Sequence, residues 1–257
     1  YTGIIDPNRP REFISVANEQ MPNASFSDEG NGRFVLLTSG LPYEIESQWD
    51  ISSKMDTWIY DTQSNQLTVI AQPVSGRPQI SPSGNFTYWW NASEKQWFAF
   101  DNKTGKTIGL TQEIPVNFWN EKNDTPSEPG AYGIAAWGEG DKFVLMYDAF
   151  DIWKLDPSGK QKPVNITNNA GRTDSITFRY INTDPDKRFV ENKDVLLLSA
   201  FDNISKEAGF YTLRLQGRNP LLKRELDKYG YTSVKKAKNT DLFVFQKSNF
   251  NTSPDLY

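Results

Sequence analysis

Two groups of acidic residues in this 257-residue chain are of the type that ligates cations. Asp184, Asp186 and Glu191 stand in the run TDPDKRFVE, and Asp148 and Asp151 flank a strand corner. Calcium takes roughly six to eight oxygen ligands, so clustered carboxylates are where such a site would begin. The first run lacks the glycine and ligand positions of an EF-hand loop, and the second has no further ligand nearby. Both read as solvated loop acids, with calcium as the alternative. Two carboxylates can also cleave a glycoside, but sequence gives no separation between them. Most acids here occupy turn positions, where the carboxylate bonds its own backbone.

The chain has no histidine and no cysteine. A Ser-His-Asp triad, a His-ligated zinc, a thiolate nucleophile and a disulfide therefore cannot be assembled from it. No G-x-S-x-G elbow surrounds any serine. The expectation is a polypeptide that is not itself a hydrolase, with no catalytic, cofactor-binding or metal residue of its own and no cofactor. A net charge of −4 without long runs argues against nucleic acid, which needs a concentrated basic surface. Lys235, Lys236 and Lys238 form a small basic cluster that reads as a solvated loop.

Other features invite a binding role. Trp89, Trp90, Trp97 and Trp153 would make a platform for peptide or sugar, although aromatic strands are also what packed sheets need for their core. The polar insertion at 120–130, NEKNDTPSEPG, would reach a neighbouring domain or substrate, or simply connect two repeats. Asn-x-Ser/Thr triplets begin at Asn91, Asn102 and Asn165; they reflect turn composition unless the protein passes through a glycosylating pathway.

The elements that would position these residues repeat. Strands open at Phe34, Phe86, Phe143, Val195 and Phe243, roughly fifty residues apart, the period of propeller blades. Small-residue turns precede four of them: SDEGNGRF at 27–34, SPSGNF at 81–86, GEGDKF at 138–143 and NTDLF at 239–243. Such residues tolerate positive φ or bond back to the chain. An aromatic strand echoes each opening about twenty residues on: WIYD at 58–61, FAFD at 98–101, IWKLD at 152–156 and YTLRL at 211–215. After the Asp, turns such as DNKTG at 101–105 and DPSG at 156–159 lead to a further short strand around Leu110 and Thr111 or Ile166 and Thr167.

The fold class expected is all-β: a partial β-propeller of about four to five four-stranded antiparallel blades with few helices, 1–257 forming one propeller domain or a sector of one. A sandwich has no reason to repeat the same turn and strand in the same order. Only 221–229, LLKRELDKY, could form a turn or two of helix, and it reads equally as an outer strand. Aromatic content of 14% within 37% hydrophobic residues supplies a core despite a mean hydropathy of −0.64. No apolar run approaches the ~18 residues of a membrane helix. The sequence starts at Tyr1 without Met or leader, consistent with a removed export signal or a cut piece.

Three stretches carry a resemblance. Residues 132–167, YGIAAWGEGDKFVLMYDAFDIWKLDPSGKQKPVNIT, with 171–180, GRTDSITFRY, and 195–213, VLLLSAFDNISKEAGFYTL, resemble the β-propeller region of bacterial prolyl oligopeptidase family serine peptidases. The SPSGNF turn is also similar to those of TolB-like propellers. The first resemblance implies a propeller ahead of a C-terminal α/β-hydrolase domain, gating access of short or unfolded peptides to its pocket, in a periplasmic or otherwise exported protein. The catalytic Ser, Asp and His would lie in that other domain, so none is assigned here. Dipeptidyl peptidases of the family hold the substrate's N-terminus with adjacent glutamates, and this sequence has no Glu-Glu pair; exopeptidase specificity is unsupported.

Relatives carry about seven or eight blades, whereas the repeats number four with a fifth that stops in its third strand at 253–257. A sector with open strand edges is expected to self-associate or to be marginally stable. The alternative is a stand-alone TolB-like propeller that binds a protein or ligand in the cell envelope.

Overall fold

The computed structural model describes residues 2–6, 9–49, 53–216, 221–238, 240 and 242–257. A hairpin, β1 (Gly3–Asp6) and β2 (Arg9–Ser15), precedes five antiparallel sheets. The first is β3 (Asn23–Phe26), β4 (Phe34–Ser39), β5 (Lys54–Asp61) and β6 (Gln66–Ser75). The second is β7 (Gln79–Ile80), β8 (Phe86–Asn91), β9 (Gln96–Asp101) and β10 (Thr107–Gly109). The third is β11 (Ile134–Trp137), β12 (Val144–Tyr147), β13 (Ile152–Leu155) and β14 (Val164–Asn165). The fourth is β15 (Ile176–Tyr180), β16 (Val195–Asp202), β17 (Ala208–Arg214) and β18 (Leu222–Asp227). The fifth has three strands, β19 (Gly230–Lys236), β20 (Phe243–Asn249) and β21 (Thr252–Leu256). Within every sheet the strands follow chain order. These are the meandering blades of a β-propeller, four complete and one of three strands.

The residues expected to open strands begin the second strand of each blade, Phe143 standing one residue before β12. In the first three blades they are apolar because the second strand is largely buried: β12 is buried at all four positions and β4 at five of six. Val195 at the start of β16 is half-exposed, and β20 has no fully buried position. The echo is less regular than expected. Third strands start at Lys54, Gln96, Ile152 and Ala208, because the link from the second strand is a short turn in one blade and a long excursion in another. The fourth strands also arrive earlier than expected, at β10 and β14, and the threonines that follow them have a different task. Thr111 accepts the Trp97 N–H at 3.1 Å and Thr167 the Ile152 N–H at 3.2 Å, each hydroxyl closing the start of a third strand.

The turn chemistry is as expected. In SPSGNF the Ser81 hydroxyl accepts the Phe86 N–H at 3.0 Å, and Gly84 sits at φ +76°, which strains any other residue. Asp61, Asp101 and Asp156 at strand ends accept backbone N–H groups two residues on. The turn at 239–243 falls partly on residues 239 and 241, which lie outside those described.

The segment 221–229 is strand, not helix, since β18 pairs with β17. The α-helix among the described residues is instead α1 (Ala170–Asp174), flanked by Asn169 and Ser175 at positive φ. Its first N–H groups are held by a side chain twenty residues earlier, which no periodicity reveals.

The chain forms two compact units. One comprises residues up to 131 with 140–142 and 156–161; the other comprises 132–139, 143–155 and 162 onwards. The first has a core of Phe34, Leu36, Ile59, Val74, Trp89 and Phe100, with a second cluster of Val16, Val35, Leu37 and Trp58 beneath the β1–β2 hairpin. The second is built on Phe143, Leu145, Ile152, Phe178, Leu196 and Leu198 among others. No helix among the described residues is long and apolar enough to cross a membrane.

Candidate functional site

Asp148 and Asp151 follow β12 at the tight turn into β13, and both are fully buried. The Asp148 carboxylate accepts the N–H groups of Phe150 and Asp151, both at 2.7 Å, and the Trp153 indole N–H at 2.9 Å; the Arg172 guanidinium lies 3.8 Å away. Asp151 accepts the Thr167 hydroxyl at 2.6 Å and the N–H groups of Gly171 and Arg172 at 2.9 and 3.0 Å, which caps α1. Protein donors thus occupy the oxygens a cation would need. Beside them Arg179 donates to the carbonyls of Phe178, Asp148 and Ala149 and lies 4.6 Å from the Tyr147 ring centroid. Burial pushes Arg179 below its ordinary value and Tyr147 above its own.

Asp184, Asp186 and Glu191 do not converge. Asp184 accepts the Asp186 N–H at 3.2 Å, whereas Glu191 is answered by Lys193 at 2.8 Å and Lys187 at 3.8 Å. Among the described residues no group of three acidic side chains could hold a metal.

Three of the four tryptophans, Trp89, Trp97 and Trp153, are buried. Trp89 stacks on Phe98 with centroids 5.6 Å apart, and Trp90 and Trp97 lie 5.7 Å apart. Trp90 is only half-buried and donates its indole N–H to the Pro129 carbonyl at 3.3 Å, tying down the insertion at 120–130. The insertion is closed at its base by Asn120 N–H to Gly130 O at 2.8 Å and held inside by the Asn123 amide on Ser127 O at 2.8 Å. Two features that sequence presents separately are one structure. Of the Asn triplets, Asn102 is committed elsewhere: it is buried, donates to Gly84 O at 2.9 Å and accepts from Thr87 at 2.9 Å. The basic cluster is not a loop, because Lys235 and Lys236 lie in β19, paired with Val244 and Phe243.

Sequence reasoning misses a cleft of about 770 Å³ in the second unit between the fourth and fifth blades. At one end the blades are pinned: the Phe210 ring lies 4.9 Å from Tyr231 and 5.3 Å from Phe245, and the Lys247 ammonium, 2.7 Å from both Glu225 and Asp227, sits over the rings of Tyr229 and Tyr231. Beyond this contact lies the cleft. Val195, Leu197, Val234 and Phe243 form apolar walls there, and Thr212 and Arg224 add polar groups. The available signal was the alternation of β20, whose Phe243 and Phe245 both face across. The first unit carries a smaller cavity of about 440 Å³ beneath the excursion between β4 and β5, lined by Tyr43, Glu44, Glu46, Lys54 and Arg77.

With this geometry in view, the comparisons bear on fold. No protein-family model matches the sequence, and no curated protein does. Among solved structures, the chain superposes on dipeptidyl peptidase 4 of Porphyromonas gingivalis with a TM-score of 0.54 at 14% identity, over 93% of this chain and 39% of that one. Hydrazine synthase of Kuenenia stuttgartiensis gives 0.42 at 13% identity, over 90% and 57%, and a prolyl endopeptidase 0.46 at 12%, over 88% and 32%. The chain thus spans well under two thirds of each. At these identities the likeness speaks to the class of fold alone, the meandering antiparallel blades described above.

Proposed function

We propose that this chain is the non-catalytic β-propeller portion of a prolyl oligopeptidase-type serine peptidase of an exported, periplasmic kind, gating peptide access to a separate α/β-hydrolase domain. The observation that carries the reading is a coincidence: the likeness to dipeptidyl peptidase 4 extends over 93% of the chain, and the third and fourth blades, between Tyr132 and Leu213, hold the stretches of sequence that resemble the family. The absence of histidine supports a non-catalytic role, since the proton relay of a serine peptidase has to come from elsewhere. On this reading a completed propeller admits extended chains and rejects folded ones.

The test is made on the product of the whole reading frame. A continuation past Tyr257 into a hydrolase domain with a G-x-S-x-G turn and a later histidine is expected. The purified protein should then cleave short peptides while sparing the same sequence inside a folded protein, and lose activity when that serine becomes alanine. A reading frame without such a domain replaces this function with a stand-alone TolB-like binding module. Equal cleavage of folded and short substrates refutes gating.

A further inference from the structure

We propose that the cleft between the fourth and fifth blades is a binding site for the free C-terminal carboxylate of a peptide with apolar terminal residues, received by Arg224. This goes beyond the peptidase reading and does not depend on it.

The charges along the cleft are unequally matched. Lys187 is 2.6 Å from Asp194, and Glu225 is 2.7 Å from Lys247. The Lys236 ammonium donates to the Thr240 carbonyl at 2.8 Å. Arg224 differs: its Nε donates to the Thr212 hydroxyl at 2.9 Å, and among the described residues its guanidinium has no carboxylate partner. That bond engages the inner nitrogen only, and the side chain is exposed and lines the cleft, so its outer nitrogens supply the fork that binds a carboxylate through two parallel hydrogen bonds.

The walls select what carries that carboxylate. Val195 is 53% exposed although it is a β-branched residue in a strand, and Leu197, Val234, Phe243 and Phe245 continue the apolar surface. A cleft of about 770 Å³ with apolar walls and few polar groups has the size and character of a ligand site. The polar groups interleaved with these walls, Thr183, Thr212 and Tyr180, suit the amides of a peptide better than a bare alkyl chain. Asp184 also lines the cleft and opposes an anion, which makes it a second handle for the test.

The probe is Ac-Leu-Ala-Phe with a free carboxylate, titrated by calorimetry or NMR against the protein with any reactive serine blocked, alongside its C-terminal amide and decanoate. The acid should bind at least about tenfold more tightly than the amide, the worth of a charge-assisted bidentate contact. Arg224→Gln should abolish that difference, Arg224→Lys should retain part of it, and Asp184→Asn should strengthen acid binding. Val195→Asp places an anion on the wall at an already half-exposed position, so it should fold and bind the acid no better than the amide. Equal affinity for acid and amide, a preference that survives Arg224→Gln, or no saturable binding overturns the site. Decanoate displacing the peptide at equal concentration overturns the peptide assignment.

Discussion

Ser81 donates its hydroxyl to the carboxylate of Asp141 at 2.7 Å, across 60 residues of sequence, and both side chains are buried. The same carboxylate accepts the N–H groups of Ser83 and Asn85, each at 3.1 Å, and the Asn85 amide at 3.2 Å. One acid therefore organises the whole SPSGNF turn. Asp141→Ala strips the acceptor from buried donors and should cost about 2 to 4 kcal/mol, whereas Asp141→Asn, which keeps one acceptor oxygen, should cost less. Chemical denaturation of the two variants beside the parent checks the order.

Lys247 should matter through its position between the fourth and fifth blades. Its ammonium bonds Glu225 and Asp227 and lies 4.5 Å from the Tyr229 ring centroid, but both carboxylates are about one-third exposed, which weakens the ion pairs. Lys247→Met keeps the aliphatic packing and should cost about 1 to 2 kcal/mol, read as a faster amide exchange in β19 and β20 than in β12.

Acid should loosen both units. Hydrogen bonds from Arg33 hold the Asp61 carboxyl far below its ordinary range, against burial. At Asp227 burial pushes upward, and hydrogen bonds from Lys247 and Tyr231 outweigh it, leaving the group lowered. A carboxyl depressed in the folded state contributes stability above its unfolded value, about 4, that is lost as pH falls through the folded value. With no histidine in the chain, melting temperature should fall chiefly below about pH 4. Asp61→Asn should shrink that acid limb; an unchanged limb would remove Asp61 from the account.

Gly209 in β17 has no spare room. A Cβ there would lie 2.0 Å from the Glu225 carbonyl oxygen and 2.8 Å from Leu226 Cα, both backbone atoms of the neighbouring strand. Gly209→Ala should force the strands apart and cost about 1 to 3 kcal/mol, despite alanine's better strand entropy. Thermal unfolding measures it.

The excursion between β4 and β5 is anchored by Tyr43, whose hydroxyl donates to Asp56 at 2.6 Å; that bond, with burial, pushes the phenol up to about 12. The Lys54–Glu46 ion pair holds its far side. Tyr43→Phe should raise amide exchange at 41–48 several-fold with about 1 kcal/mol or less of global destabilisation.

Much of the blade framework is legible in the residues. Phe34 and Phe86 mark second strands because a strand buried on both faces has to be apolar, Val195 and Phe243 open second strands without being buried, and SPSGNF marks a turn because Gly84 must take positive φ. The β1–β2 hairpin is not legible, since its core contribution comes from Val16 and Ala17 just beyond it, a run too short to carry a period. The placement of α1 is hidden because Asp151 supplies its cap from another blade's turn. Single acids could be seen, but not that Asp148 and Asp151 were already bonded by N–H groups, nor that Arg224 in an unremarkable charged run faces an apolar wall. Those facts depend on which strands lie side by side, and sequence order alone does not state it.

Each sheet is woven from one uninterrupted stretch of chain, with neighbours in space also neighbours in sequence. A genetic duplication or loss of one such stretch would add or remove a whole sheet without rewiring the hydrogen bonds of any other. The architecture can therefore change its number of sheets by copying, without redesigning a single strand pair.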